Sequence, residues 1–308
     1  MNLWHAFTDS DAFRSFRKRG PGRPIFRSRT FQRMNLWRYY GMSALVARRD
    51  SGCFRHIRAF CFFVGHNKSG TSLLGALLDA HPKVILADEI GALRYVEAGF
   101  SRDQLFYLLL RGSRVEARKG RVTAHRLEPY SYWVPEGWQG RCSAPLVIGD
   151  STSGSSTRLL GLRPDLLDRL SELLRGIEPR LIQVIRNPFD PISVGMVRGG
   201  RSFQNAIDRY FIACETLVEI RRRVDPGFLL PVRYETFVAG PEQGLARVCR
   251  FLGVDVDQDQ DYLRACGRIV RRRPDRSREM VKWTQPWIDD VERRIASFDF
   301  LQGYSYEN

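Results

Sequence analysis

The sequence has no run of about 18 or more apolar residues, the length that a membrane-spanning helix needs. The apolar stretch AFCFFVG, residues 59–65, is far too short to span a bilayer and is typical of a buried strand. The six cysteines include no C-x-x-C pair and no Cys/His pairing at zinc-ligand spacing. No signal peptide is visible, so we expect reduced cysteines and an intracellular, cytoplasmic location.

Acidic residues are scarce in the first part of the chain. Residues 1–59 contain 13 Lys+Arg and 3 Asp+Glu, a net +10 out of +15 for the whole chain. This balance favours an anionic partner, and nucleic acid, anionic lipid and a phosphorylated cofactor all fit it. We predict that residues 1–58 are a basic, poorly ordered N-terminal extension, because they show no sustained helical period. Translation from Met34, a transit peptide and a surface-binding basic arm are the alternatives.

From Ala59 onward, strand patterns alternate with helix patterns. The strand runs are AFCFFV (59–64), PLVIGD (145–150), RLIQVI (180–185) and FLLPVRY (228–234). Helical patterns follow them at 73–78, 164–174, 203–224 and 241–253. This alternation predicts an α/β, P-loop-like three-layer fold, in which helices flank a mainly parallel sheet and ligands bind at the carboxyl ends of its strands.

Residues 59–308 are expected to form one domain that an insertion interrupts. The insertion, at about 91–141, is rich in aromatic residues and proline. Such a segment shapes a substrate pocket or serves packing alone. The same two interpretations hold for its aromatic side chains, which suit stacking on a sugar or an aromatic ring and also suit packing. These side chains are Tyr130, Tyr132, Trp133 and Trp138.

A glycine-bearing loop, GHNKSGT, separates the first strand from its helix. Gly65 and Gly70 have the spacing of a phosphate-binding loop, but an ATP-binding loop carries its lysine directly after the second glycine. Here Thr71 takes that place, and the lysine is Lys68, inside the loop. Backbone N–H groups and the positive end of the helix are expected to surround an anion. Further donors are the side chains of Lys68, Ser69, Thr71 and Ser72.

A second motif, LIQVIRNPFDPISV at 181–194, also follows a strand. The strand ends at Arg186, and Ser193 lies on the following turn or helix, so both are expected at the same edge as the loop. An arginine can bind a phosphate through two N–H groups, and a hydroxyl adds a donor. The alternative is that Arg186 pairs with a carboxylate such as Asp190.

Three segments, in this order, resemble the sulfotransferases that use 3′-phosphoadenosine 5′-phosphosulfate (PAPS). They are HNKSGTSLLGALLDAHP (66–82), VIRNPFDPIS (184–193) and VRYETFVAGPEQGLARVCRFLGV (232–254). The likeness is greatest to the bacterial and Golgi-type members. It implies that PAPS is the donor, that adenosine 3′,5′-bisphosphate is the product and that no metal is needed. The acceptor implied is a hydroxyl of a small molecule or a glycan.

The resemblance also assigns binding residues. It implies that the 5′-phosphosulfate is bound by the loop residues Lys68, Ser69, Gly70, Thr71 and Ser72. It implies that Arg186 and Ser193 bind the 3′-phosphate, although the serine of the family usually lies one residue later, where this chain has Val194. Tyr234 stands where the family approaches adenine. The basic run at 271–273 is a further candidate for the 3′-phosphate.

Sulfuryl transfer to a hydroxyl also needs a general base and positive charge at the leaving phosphate. Relatives with LDAHP use a glutamate at the position of Glu89, so the resemblance implies Glu89 as base, with Asp88 beside it. Lys68 would stabilise the leaving phosphate. His66 and His125 are alternative bases, and each is expected to be structural instead.

The segment GDSTSGSSTRLL, residues 149–160, departs from the family pattern. Relatives often carry a lysine shortly after this strand, whereas this chain has Ser151 and Thr152. Either Lys68 acts alone, or another cation such as Arg158 replaces the missing one.

Two other functions are compatible with the sequence. A P-loop small-molecule kinase would need ATP and Mg²⁺, and the missing lysine after the second glycine argues against it. A non-catalytic protein on the same fold would use the basic N-terminal extension to bind an anionic surface or nucleic acid. Nucleic acid binding is not expected of the enzyme, whose partner is the small-molecule or carbohydrate acceptor.

Overall fold

The computed structural model describes residues 29–122, 130–272 and 276–308. Within these ranges, five strands form one sheet with the order β2-β3-β1-β4-β5, and all of its neighbouring strands run parallel. The strands are Ala59–Gly65 (β1), Val84–Ala87 (β2), Val147–Asp150 (β3), Glu178–Ile185 (β4) and Leu229–Arg233 (β5). Helices cover both faces. The predicted α/β three-layer fold with a mainly parallel sheet is confirmed.

The α-helices that the structure describes flank this sheet. In chain order they are Arg29–Asp50 (α1), Thr71–Leu78 (α2), Ala92–Glu97 (α3), Arg102–Arg118 (α4), Gly154–Leu162 (α5), Leu166–Leu173 (α6), Phe189–Gly199 (α7), Phe203–Arg223 (α8), Tyr234–Ala239 (α9), Pro241–Phe251 (α10), Gln260–Ile269 (α11) and Gln285–Ile295 (α12). Short 3₁₀ turns lie at Ser51–Phe54, Pro226–Phe228, Ser277–Met280 and Asp299–Leu301. In these ranges, no helix is long and apolar enough to pass through a membrane.

The central strand β1 is buried along its whole length. Phe60 and Phe62 point into one hydrophobic core, and Cys61 and Phe63 point into the other. Successive side chains of a strand alternate between faces, and helices cover both faces here. This is why the strand is a continuous apolar run, and why the run marks it so clearly in the sequence.

The N-terminal extension contains more structure than the sequence predicts. Residues 29–50 form α1, which packs against α4, and the partly buried Leu36, Tyr39 and Met42 contact the core. The pattern of α1 shows no clear helical period because apolar residues also lie on its outer side. Residues 1–28 lie outside the described part of the chain.

The predicted insertion begins with α3 and α4. A capping box at Ser101 and Gln104 starts α4, and α4 packs against β2. The buried carboxylate of Asp79 accepts hydrogen bonds from Ser113 of α4 and from Arg121, which follows α4. This ion pair fastens the insertion to the end of helix α2, which begins at the glycine-bearing loop.

Candidate functional site

The turns that follow the five strands meet at the carboxyl edge of the sheet. The glycine-bearing loop follows β1, and Arg186 follows β4, its neighbour in the sheet. Tyr234 follows β5, and Glu89 lies just beyond the end of β2. Because parallel strands place their carboxyl ends together, the fold brings these separate sequence motifs to one edge.

The loop has the backbone of a tight anion cradle. Gly65 and Gly70 have φ values of 130° and 97°, and Lys68 has a φ of 70°. Gly70 is the N-cap residue of α2, and no side chain caps the N-terminus of this helix. A Cβ atom at Gly70 would lie 2.3 Å from a ring carbon of Tyr234. Glycine is therefore required there both by φ and by space, while the Lys68 side chain reaches solvent.

The Ser69 hydroxyl is a buried polar group of this loop. The residue is 1% exposed, and its Oγ has no hydrogen-bond partner among the described residues. A buried hydroxyl normally finds a partner. An anion held by the loop would supply one.

Arg186 joins the second motif to the loop. Its Nη1 donates to the carbonyl oxygen of Lys68 at 3.1 Å, and its Nε donates to Asp190 Oδ2 at 3.3 Å. Its guanidinium carbon lies 4.9 Å from the centre of the Tyr234 ring. The carboxylate pairing that the sequence left as an alternative is thus present, and it coexists with contacts to the loop and to Tyr234.

Ser193 lies deeper than its predicted role suggests. Ser193 is fully buried, and its Oγ accepts a hydrogen bond from Trp283 Nε1 at 3.0 Å. Trp283 in turn packs edge-on against Phe189, the first residue of α7. The structure therefore places Arg186 at the edge of the sheet but places Ser193 inside the packing between α7 and the C-terminal segment.

Glu89 is exposed at the carboxyl end of β2 and has a φ of 52°. A left-handed conformation is uncommon for a glutamate and turns the chain sharply after the strand. The neighbouring Asp88 accepts a hydrogen bond from Ser151 Oγ at 2.8 Å. The predicted base is thus exposed at the carboxyl edge of the sheet, next to an aspartate that Ser151 holds in place.

The turn after Glu89 is held by the end of β3. Asp150 accepts from the backbone N–H of Ala92 at 2.7 Å, and Thr152 Oγ1 accepts from that of Gly91 at 3.0 Å. Asp150 is fully buried, and burial raises the pKa of its carboxyl to about 6, with a smaller contribution from Asp88. Sequence reasoning missed this anchoring role, because the contacts join residues about sixty positions apart.

Small hydroxyl residues that follow β3 contact the glycine-bearing loop. Thr157 Oγ1 accepts from the N–H of Gly65 at 2.9 Å, and Ser153 Oγ lies 3.4 Å from Thr71 Oγ1. A Cβ atom at Gly154 would lie 2.5 Å from Asn67 Oδ1, so this segment packs tightly on the loop. The run of Ser and Thr after a buried strand is the signal that could have indicated this contact. The alternative cation Arg158 is exposed.

The alternative bases and the basic run have other surroundings. His66 Nε2 lies 3.0 Å from the carbonyl oxygen of Tyr210, and burial lowers the pKa of its imidazole to about 4. His125 lies outside the described residues. Arg271 stacks on Tyr130 of the insertion at 4.9 Å, and Arg272 pairs with Glu242, while position 273 is not described. Across the described ranges, no group of three or more His, Cys, Asp or Glu could hold a metal ion.

Part of the chain matches a known family by sequence. Residues 151–258 match the model of the sulfotransferase family. The predicted family resemblance is confirmed. The matched segment contains Arg186, Ser193 and Tyr234, and it begins after the glycine-bearing loop and Glu89.

Solved structures of several sulfotransferases are similar to this chain. The sulfotransferase domain from the olefin synthase of Synechococcus PCC 7002 is 18% identical, and the likeness covers 79% of this chain and 96% of that chain with a TM-score of 0.48. The sulfotransferase from Alicyclobacillus acidocaldarius is 17% identical, covering 80% and 97% with a TM-score of 0.45. Mouse sulfotransferase SULT7A1, complexed with PAP, is 13% identical, covering 79% and 84% with a TM-score of 0.41. No curated protein matches the sequence.

Proposed function

We propose that this protein transfers a sulfuryl group from PAPS to a hydroxyl of a small molecule or glycan and releases adenosine 3′,5′-bisphosphate. One observation carries the proposal. Arg186 donates to the carbonyl oxygen of Lys68 and stacks on Tyr234, whose ring rests against Gly70. Three motifs that are far apart in the sequence thus form one contact cluster. The family match over 151–258 supports the same chemistry.

The residues of the loop fit the 5′-phosphosulfate. A partnerless buried hydroxyl at Ser69, a side-chain-free position at Gly70 and the N-terminus of α2 all favour an anion there. We propose that Ser69, Gly70, Thr71 and Ser72 hold this group together with Lys68. The donor supplies the sulfuryl group and a stable phosphate leaving group.

We propose that the 3′-phosphate binds at Arg186 and the adenine at Tyr234. The guanidinium is already oriented by Asp190 and the Lys68 carbonyl, which lowers the entropy that binding would cost. The partly buried ring of Tyr234 offers a stacking surface. Ser193 is left out of this proposed set, because its hydroxyl is fully buried and bonded to Trp283.

In the proposed reaction, the oxygen of the acceptor hydroxyl attacks the sulfur in line. The bond between sulfur and the 5′-phosphate oxygen breaks, and the hydroxyl proton passes to the Glu89 carboxylate. The Lys68 ammonium stabilises the charge that develops on the leaving phosphate. Asp150 and Thr152 hold the backbone next to Glu89 and so fix the position of the base.

Calorimetric titration tests the cofactor site directly. Adenosine 3′,5′-bisphosphate and ATP with Mg²⁺ are titrated into the wild type and into Arg186→Ala. We expect the wild type to select the bisphosphate and the variant to lose about tenfold or more in affinity, because the proposed charged contact with the 3′-phosphate is removed. A preference for ATP would favour the P-loop kinase, and the absence of nucleotide binding by a folded protein would favour a non-catalytic role.

A further inference from the structure

Helix α1 uses one side to pack on the protein. Ser43 is fully buried and accepts a hydrogen bond from Gln104 Nε2 of α4 at 3.2 Å. Tyr39 packs edge-on against Tyr95, and Tyr40 packs edge-on against Phe100. These contacts fix the rotation of α1 about its axis and so determine which residues face outward.

The outward side carries large apolar residues. Met34 is 60% exposed, Trp37 is 71% exposed and Leu45 is 78% exposed. Spacings of three and eight residues place them on one side of the helix, with Gly41 between the last two. We call Met34, Trp37 and Leu45 the outer stripe. Single exposed apolar residues are common on protein surfaces, but an aligned set marks an interaction surface.

The helix that carries the outer stripe is basic in sequence. The sequence of α1 contains five arginines, and its one acidic residue is the last, Asp50. The preceding 28 residues add further basic residues, so residues 1–59 reach a net +10. An apolar stripe within a basic segment narrows the choice of partner. Nucleic acid would bind the positive charge but would not bury the apolar side chains of the outer stripe. A second copy of this chain would be repelled by like charge.

We propose that the outer stripe docks on the surface of an anionic phospholipid bilayer. Such a surface binds both the apolar stripe and the positive charge. Trp and Leu enter the boundary between headgroups and acyl chains, while arginines bind the lipid phosphates. Helix α1 would lie in the plane of the interface, on the cytoplasmic side that the sequence predicts. This inference does not depend on the proposed sulfotransferase activity.

Vesicle sedimentation tests the proposal with the full chain. One set of vesicles contains phosphatidylcholine alone, and the other contains phosphatidylcholine and phosphatidylglycerol in equal parts. We expect the wild type to bind the acidic vesicles selectively and less tightly as salt is raised. The double variant Trp37→Gln, Leu45→Gln should bind them about tenfold or more weakly, because two buried apolar side chains are lost. Trp37→Phe should stay close to the wild type.

Leu162→Gln is the matched control, because Leu162 is a 68% exposed leucine of α5 outside the basic segment. It should bind acidic vesicles as the wild type does, and thermal unfolding should show that every variant is folded. Equal binding by the wild type and the double variant would overturn the proposal. The proposal would also be overturned if light scattering showed a wild-type dimer that the double variant does not form. Binding of the wild type to duplex DNA that the double variant loses would overturn it as well.

Discussion

The guanidinium carbon of Arg186 lies 4.9 Å from the centre of the Tyr234 ring. The contact joins the ends of two neighbouring strands, β4 and β5, and contributes on the order of 1 kcal/mol when partly buried. The same ring leaves no space for a side chain at Gly70. Tyr234 thus packs against both the arginine and the loop that are proposed to bind the nucleotide.

Gly70→Ala should abolish nucleotide binding. The new Cβ would lie 2.3 Å from the Tyr234 ring and would adopt a φ near 97°, so both the ring and the loop must move. Gly176→Ala is the matched control, because Gly176 also has a positive φ of 83° but has no neighbour within 4 Å. Calorimetry should show bisphosphate binding in the control alone. Equal binding by both variants would mean that the ring does not constrain the loop.

Asp190→Asn should weaken recognition of the 3′-phosphate. Asp190 is 1% exposed and lies between two buried arginines, Arg186 and Arg278, at 3.3 Å and 3.2 Å. Removing one charge from a buried ion pair costs roughly 3 kcal/mol, and the freed Arg186 should lose its orientation. We expect the affinity for adenosine 3′,5′-bisphosphate to fall while that for adenosine 5′-phosphate changes little.

The control for this effect is an exposed ion pair. Asp261 pairs with Arg264 at 2.8 Å, but its side chain is 99% exposed, so solvent screens the interaction. Asp261→Asn should leave both affinities and the unfolding midpoint unchanged. If Asp190→Asn weakens both nucleotides equally, its role is to stabilise the fold and not to orient Arg186.

Glu89→Gln should lower turnover about 10²-fold or more while the bisphosphate still binds, because the amide cannot accept the acceptor proton. Glu172→Gln, a change at an exposed glutamate of α6, should keep the wild-type rate. Rates are measured with labelled PAPS once an acceptor has been found by screening. An unchanged rate in Glu89→Gln would dismiss Glu89 as the base.

Lys68→Ala should lower turnover about 10² to 10³-fold, because the positive charge near the leaving phosphate is lost. The Lys68 side chain is exposed and the residue has a left-handed backbone, so Lys68→Arg keeps the charge at the same point of the loop. The arginine variant should recover part of the rate. Similar losses in both variants would show that the charge itself does not matter.

His66 should make stability depend on pH. Burial lowers the pKa of its imidazole to about 4 from 6.5, so the unfolded chain binds the proton more tightly than the folded protein does. Its contribution, up to about 3 kcal/mol, is present above pH 6.5 and is lost as the pH falls towards 4. Asp150 acts in the opposite direction. Its pKa is raised from 3.8 to about 6, so its contribution is lost as the pH rises through that window.

Denaturant unfolding at several pH values checks this pair of effects. In the wild type, these two contributions offset each other between pH 4 and 6, so their sum changes little over that range. In His66→Gln, the contribution of Asp150 is no longer offset, so the stability of the variant should fall relative to that of the wild type as the pH rises through this window. A variant that keeps the wild-type pH profile would show that His66 is not buried in its neutral form.

The features that the sequence predicts well are local. Strand β1 is a continuous apolar run, the buried part of β4 is mostly apolar, and the loop is marked by the spacing of Gly65 and Gly70, so each could be located without knowledge of the fold. The features that the sequence does not show depend on distant partners. Ser193 is buried by Trp283, ninety positions away, and α1 escapes detection because apolar residues lie on two of its sides.

The hydrogen bond between Arg186 and the Lys68 carbonyl spans 118 positions of the chain. During synthesis, the loop is complete long before the residue that braces it, and β4 pairs with β1 only after that delay. Such non-local pairing slows folding. The left-handed turn at Lys68 is therefore expected to form late, together with the central sheet, so the rate at which a refolding chain gains nucleotide affinity would report when β1 and β4 have paired.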